Sequence, residues 1–155
     1  CLDAIYSYLL DLDIMAASFD EQPLSGCQRV EYQARTVYGL TLCASAFLLV
    51  EDPEVQHPDT LADLVDIMGR IRGAIGLALA EASLYWLAFN GTLHLFRLAT
   101  RLSTLGFSKQ ALEPLIYATL ALEVHPEYGL PSYLPWRLQL TAAVCNAYAD
   151  LGVPA

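Results

Sequence analysis

Lysine occurs once in this chain of 155 residues, at Lys109, and basic side chains number 8 against 17 acidic ones. No basic stripe is available to neutralise phosphates, which excludes direct nucleic-acid binding. The deficit is uneven. Residues 1–66 carry twelve acids against Arg29 and Arg35, a balance of −10, whereas residues 67–155 carry five acids and six bases, a balance of +1. An acidic half is repelled by any other acidic surface, so contact with one is expected to run through other segments or other proteins. Charge of both signs is scarce: charged residues make up 16%, where a free-standing domain carries about 25%. With 55% hydrophobic residues and a mean hydropathy of +0.40, much of the surface is expected to be covered by partners or by neighbouring chain, or to sit in lipid.

Lipid is the poorer of those readings. An uninterrupted apolar run long enough to span a bilayer, roughly 18–20 residues, is missing. Val37–Val50 has fourteen residues, and Gly73–Phe89 holds Glu81 at its centre, which costs about 2.5–3.5 kcal/mol there. Both runs are predicted to be buried helices of a large assembly, without membrane contact. The chain begins at Cys1 with no charged leader before the first apolar run, and is expected to be an excerpt of a longer polypeptide.

Motifs of chemistry are also missing. Cys1, Cys27, Cys43 and Cys145 form no C-x-x-C pair, and three of them fall in apolar helical patterns. They are predicted to be buried, reduced thiols of a cytoplasmic redox compartment. His57, His94 and His125 are too scattered for a metal site. Asp11 and Asp13 diverge by about 200° on a helix, so they form no joint acid–base pair. There is no G-x-S-x-G elbow, and Gly69, Gly73 and Gly76 lie inside a helical pattern rather than in a phosphate loop. No catalytic residue, cofactor or metal is predicted. Asn90-Gly91-Thr92 fits a glycosylation acceptor, but a helix break with a Thr92 cap is the better reading.

What is present is helical periodicity. From Leu95 to Leu122 the chain reads as a helix, a tight turn and a returning helix. Leu95, Leu98, Ala99 and Leu102 share one face, Gly106 ends the run, and Ser108 is placed to cap the next helix. Ala111, Leu115 and Ala118 recur on the return. Small Ala99 facing Ala111 and Ala118 lets the backbones approach closely. This is the helix–turn–helix unit of tetratricopeptide-type repeats. Counting back from Gly152, the residues Tyr148, Cys145, Val144 and Thr141 occupy the offsets that Leu102, Ala99, Leu98 and Leu95 hold before Gly106, 46 residues earlier. The last helix is therefore read as the first half of a further repeat whose partner lies beyond Ala155.

The expected architecture is all-α: antiparallel hairpins stacked as a tetratricopeptide-like α-solenoid, with residues 1–155 one segment of a longer array. Helices are expected over about 2–17, 28–50, 60–89, 92–105, 109–123 and 135–151. Loops are expected at Ser18–Gly26 and Val124–Leu134, with a break at Pro53 and a cap at Asp59 or Thr60. The spacing of Gly69, Gly73 and Gly76 predicts close helix–helix contact, because each costs about 1 kcal/mol relative to Ala. Pro114 is expected to kink its helix near the start.

At Asn90-Gly-Thr-Leu-His94, Gly106-Phe-Ser-Lys-Gln-Ala-Leu-Glu113, Tyr133-Leu-Pro-Trp-Arg137 and Ala142-Ala-Val-Cys-Asn-Ala-Tyr148 the chain resembles the family of cilia- and flagella-associated protein fifty-four. The resemblance covers about Leu61 to Gly152. It implies a non-enzymatic scaffold in the axoneme of motile cilia, helping to build a projection on the C1 side of the central-pair apparatus. Implied partners are other central-apparatus projection proteins, calmodulin-containing complexes among them, with indirect association with microtubules and with neither nucleic acid nor membrane. A general adaptor gripping peptides in a tetratricopeptide-like groove is the alternative. Its groove would need Asn, Lys or Arg, and the repeat faces read as apolar.

Overall fold

The computed structural model describes residues 25–152. The helix expected over residues 2–17 and most of the loop after it lie outside the described residues. Helix α1 spans Gly26–Glu51, and its start is fixed by a reciprocal cap. The Ser25 hydroxyl accepts the Gln28 N–H at 3.2 Å, and the Gln28 side chain accepts the Ser25 N–H at 3.0 Å. Pro53 follows its end, as expected. Helix α2, Pro58–Leu79, begins on a proline whose missing N–H is no loss at that position. Helix α3 is Tyr85–Thr104, α4 is Ser108–Ala121 and α5 is Leu134–Asp150. Three short 3-10 turns complete the described chain, at Ala82–Leu84, Pro126–Gly129 and Pro131–Tyr133. No strand occurs among the described residues.

Short connections make sequential helices antiparallel neighbours, and each helix packs mainly on the next. α3 against α4 is the most extensive pairing. Across the layers α1 touches α3 and α2 touches α4, so the helices form a stack of hairpins. The core runs through the stack as one seam: Leu64, Met68, Ile71 and Ile75 from α2, Leu95 and Leu102 from α3, Leu115 from α4 and Leu140 from α5 are all fully buried. Burying each such side chain contributes about 1.5–3 kcal/mol. Arg72 adds a clasp between α2 and α4, pairing with Glu113 at 2.6 Å and lying over the Tyr117 ring.

Several expectations are corrected. The single helix over 60–89 is two: α2 stops at Leu79, Glu81 turns extended, and α3 begins at Tyr85. The predicted turn at Asn90-Gly91 lies instead inside α3, which absorbs the separate helix expected over 92–105. Gly69 and Gly73 face open space, and only Gly76 has a neighbour, the Tyr117 hydroxyl at 3.5 Å from where a Cβ would sit. The tight contact is at Gly91. Neither Asp59 nor Thr60 caps α2, whose N-cap position is His57 with no side-chain cap bond. Cys43 and Cys145 are exposed and Cys27 is half-buried, because the apolar helices that hold them are packed on one side. The Val124–Leu134 loop contains two 3-10 turns and buries Tyr128 completely. Pro114 lies buried inside α4.

Candidate functional site

The residues predicted for repeat packing divide into two groups. Leu95, Leu98, Ala99 and Leu102 on α3 and Ala111, Leu115 and Ala118 on α4 are all buried. Gly106 takes φ +89°, the left-handed conformation that closes the turn, and its N–H bonds to Ser103 O at 3.0 Å. Gly152 repeats this at φ +67° after α5. On α5 itself the register differs. Its buried positions are Leu140 and Ala147; Val144 is half-buried, while Cys145 and Tyr148 are exposed. The reason is geometric: α3 is enclosed by α2 and α4, whereas α5 packs chiefly on α4 and so buries one narrow face.

Ser108 does not cap, contrary to the sequence expectation, because the N-cap position is Phe107. Ser108 is the first residue of α4, makes no cap bond, and donates its hydroxyl proton to Asp150 Oδ2 at 2.7 Å. Ser103 Oγ lies 2.7 Å from Ser108 Oγ and donates to it, joining α3, α4 and α5 through three side chains. Thr92 likewise has a different role from a cap. Fully buried within α3, it donates to Phe89 O at 2.7 Å and accepts the Trp136 indole N–H at 3.0 Å. Trp136 also packs edge-on against Phe89 and Phe96, which seats α5 on α3. Tyr128 donates to Tyr85 O, and burial pushes its hydroxyl up to about 12.

The junction of α1, α2 and α3 centres on Gly91. A methyl group there would lie 2.4 Å from both Ile75 Cγ1 and Tyr38 Oη. Tyr38 is buried and its hydroxyl has no partner among the described residues, so burial raises its pKa well above the ordinary value. Beside it, between α1 and α3, opens a cleft of about 350 Å³ lined by Arg35, Trp86, Asn90, His94 and Arg97. Arg35 lies over the Trp86 ring and pairs with Glu31 at 2.7 Å. His94 Nδ1 is buried without a partner among the described residues, and burial, then Arg97, lower its pKa. Between α1 and α2 the Asp52 carboxylate accepts the N–H groups of Gln56 at 2.9 Å and His57 at 3.0 Å, which hold it below the usual carboxylate range. Asp before Pro53 is the sequence signal for such a turn; nothing local marks Tyr38 or Gly91. No group of three or more His, Cys, Asp or Glu side chains fit to hold a metal occurs among the described residues.

Hairpins stacked in sequence order, with buried seams and long outer faces, define an all-α helical-stack protein. The particular family follows from comparison. A family model described as Cilia- and flagella-associated protein 54 matches residues 9–153. Over 151 residues, 97% of the chain, 36% are identical to Cilia- and flagella-associated protein 54 of Chlamydomonas reinhardtii. The proteins of the same name from Mus musculus and Homo sapiens are 30% and 28% identical over 112 residues, 72% of the chain. The chain belongs to the family of Cilia- and flagella-associated protein 54, and the similarity reaches well before Leu61, where the motif resemblance began. It spans only about one-twentieth of the length of these relatives, 5% of the first and 4% of the others.

Proposed function

We propose that this chain is a non-enzymatic scaffold segment of the motile-cilium axoneme, part of a tetratricopeptide-like array that helps assemble a projection on the C1 side of the central-pair apparatus. Its family membership supports the ciliary setting, and the observation that carries the scaffold role is the stack itself. Helix pairs that contact only their neighbours extend into long surfaces able to hold several partners at once. Other projection proteins, calmodulin-containing complexes among them, bind along those surfaces, and the acidic half keeps contact with microtubules indirect. The test is to remove the parent protein from a flagellated cell and image the axonemes. Loss of a C1-side projection together with impaired beating is expected; intact projections, or high levels of the protein in cells without motile cilia, would overturn the proposal.

One observation favours a second reading, a peptide-binding adaptor. The cleft between α1 and α3 brings Arg35, Asn90 and Arg97 together, side chains suited to holding a peptide backbone or carboxylate, where the sequence pattern suggested apolar faces. The two readings are compatible, since a scaffold can grip one partner through such a cleft.

A further inference from the structure

Helix α1 has two apolar faces, and only one of them is occupied within the described residues. Ala34, Tyr38, Thr41 and Ser45 are buried against the stack. On the opposite side Tyr32, Leu40, Phe47 and Val50 are exposed, Val50 to 79%, at helical spacing along the whole rod. Thr36, Gly39, Cys43 and Ala46 fill the stripe between them. Arg29, near the amino-terminal end of this face, is exposed and has no ion-pair partner among the described residues. A contiguous apolar stripe of this kind marks an interaction site.

The sequence just before α1 has the matching chemistry. Leu2, Ile5, Leu9 and Leu12 recur at helical spacing, and residues 1–24 hold five acids and no base. The connector Ser18–Ser25 has eight residues, within the roughly two to eight that join antiparallel helices. We propose that residues 2–17 form a helix seated antiparallel on the exposed stripe of α1, with Asp13 beside Arg29 and with Leu9, Ile5 and Leu2 running towards Leu40. In that register Cys1 falls close to Cys43, the exposed thiol in the middle of the stripe.

Two other occupants are distinguishable. α1 is long and apolar enough to cross a membrane by length and composition, and a second copy of the chain could offer its own stripe. The experiment uses the chain with Cys27→Ser and Cys145→Ser. The first change puts a hydroxyl where the Cys27 thiol lies 3.2 Å from Ser83 Oγ, so a hydrogen bond can persist there, and the second lies on an exposed face. A short bis-maleimide is expected to link Cys1 to Cys43 within one chain, read by peptide mass mapping. Amides of residues 5–16 are expected to exchange at least about tenfold more slowly than in an unfolded peptide. A link formed only between two chains makes a second copy the occupant and overturns the proposal. Unprotected amides over 5–16 overturn it as well, as does protection that arises only when phosphatidylcholine vesicles are added.

Discussion

At the scale of single residues, glycine shows how little local pattern says about packing. Gly69 and Gly73 look like a close-contact motif, yet both face open space. Gly73→Ala is therefore expected to stabilise the chain by about 0.5–1 kcal/mol through helix propensity alone. Gly91→Ala is expected to destabilise it by about 1–3 kcal/mol or more, because fully buried Ile75 and Tyr38 leave its methyl group no room. Urea unfolding of the two variants checks both signs. His94 supplies the pH dependence. Its folded pKa lies below the unfolded value of about 6.5, so the unfolded chain binds the extra proton first. The stability this neutral imidazole secures is complete above that value and is lost as pH falls below it, until the folded pKa is passed. Burial, and after it the neighbouring Arg97, oppose its protonation. His94→Gln is expected to flatten the stability profile between pH 7.5 and 5.5; an unchanged slope would refute the assignment.

At the scale of elements, α5 depends on a few contacts. Only Leu140 and Ala147 are buried along it, so its seat rests heavily on Trp136 and on the Ser103–Ser108–Asp150 chain. Trp136→Leu removes the edge-on contacts with Phe89 and Phe96 and leaves the buried Thr92 hydroxyl without its donor. A loss of about 2–4 kcal/mol is expected, concentrated on α5. Hydrogen exchange should show α5 amides exposed while those of α2 and α3 stay protected; uniform loss would show that α5 is not a separable layer. The connector between α1 and α2 is held differently, by the Asp52 carboxylate on two backbone N–H groups and by Arg101 donating to Pro53 O at 2.8 Å. Val55, at φ +53°, is buried within it, a strained conformation for a β-branched residue that the surrounding contacts maintain.

At the scale of the whole molecule, the chain spans about one-twentieth of the length of its relatives, so the proposed scaffold role is tested on the parent protein in the axoneme. The sequence by itself determined the helical class, the α3–α4 hairpin with its Gly106 turn, a last helix over about 135–151, and the family. Each of these is written in local periodicity, turn chemistry or recognisable motifs. Tertiary structure alone decided where α2 ends. Ala80-Glu-Ala-Ser-Leu84 contains neither Gly nor Pro, and propensity would carry a helix straight through it. The break lets α3 fold back so that Gly91 meets Ile75 and Tyr38 and Trp136 reaches Thr92. Those contacts join residues up to 53 positions apart, and a signal confined to neighbouring residues holds no record of them.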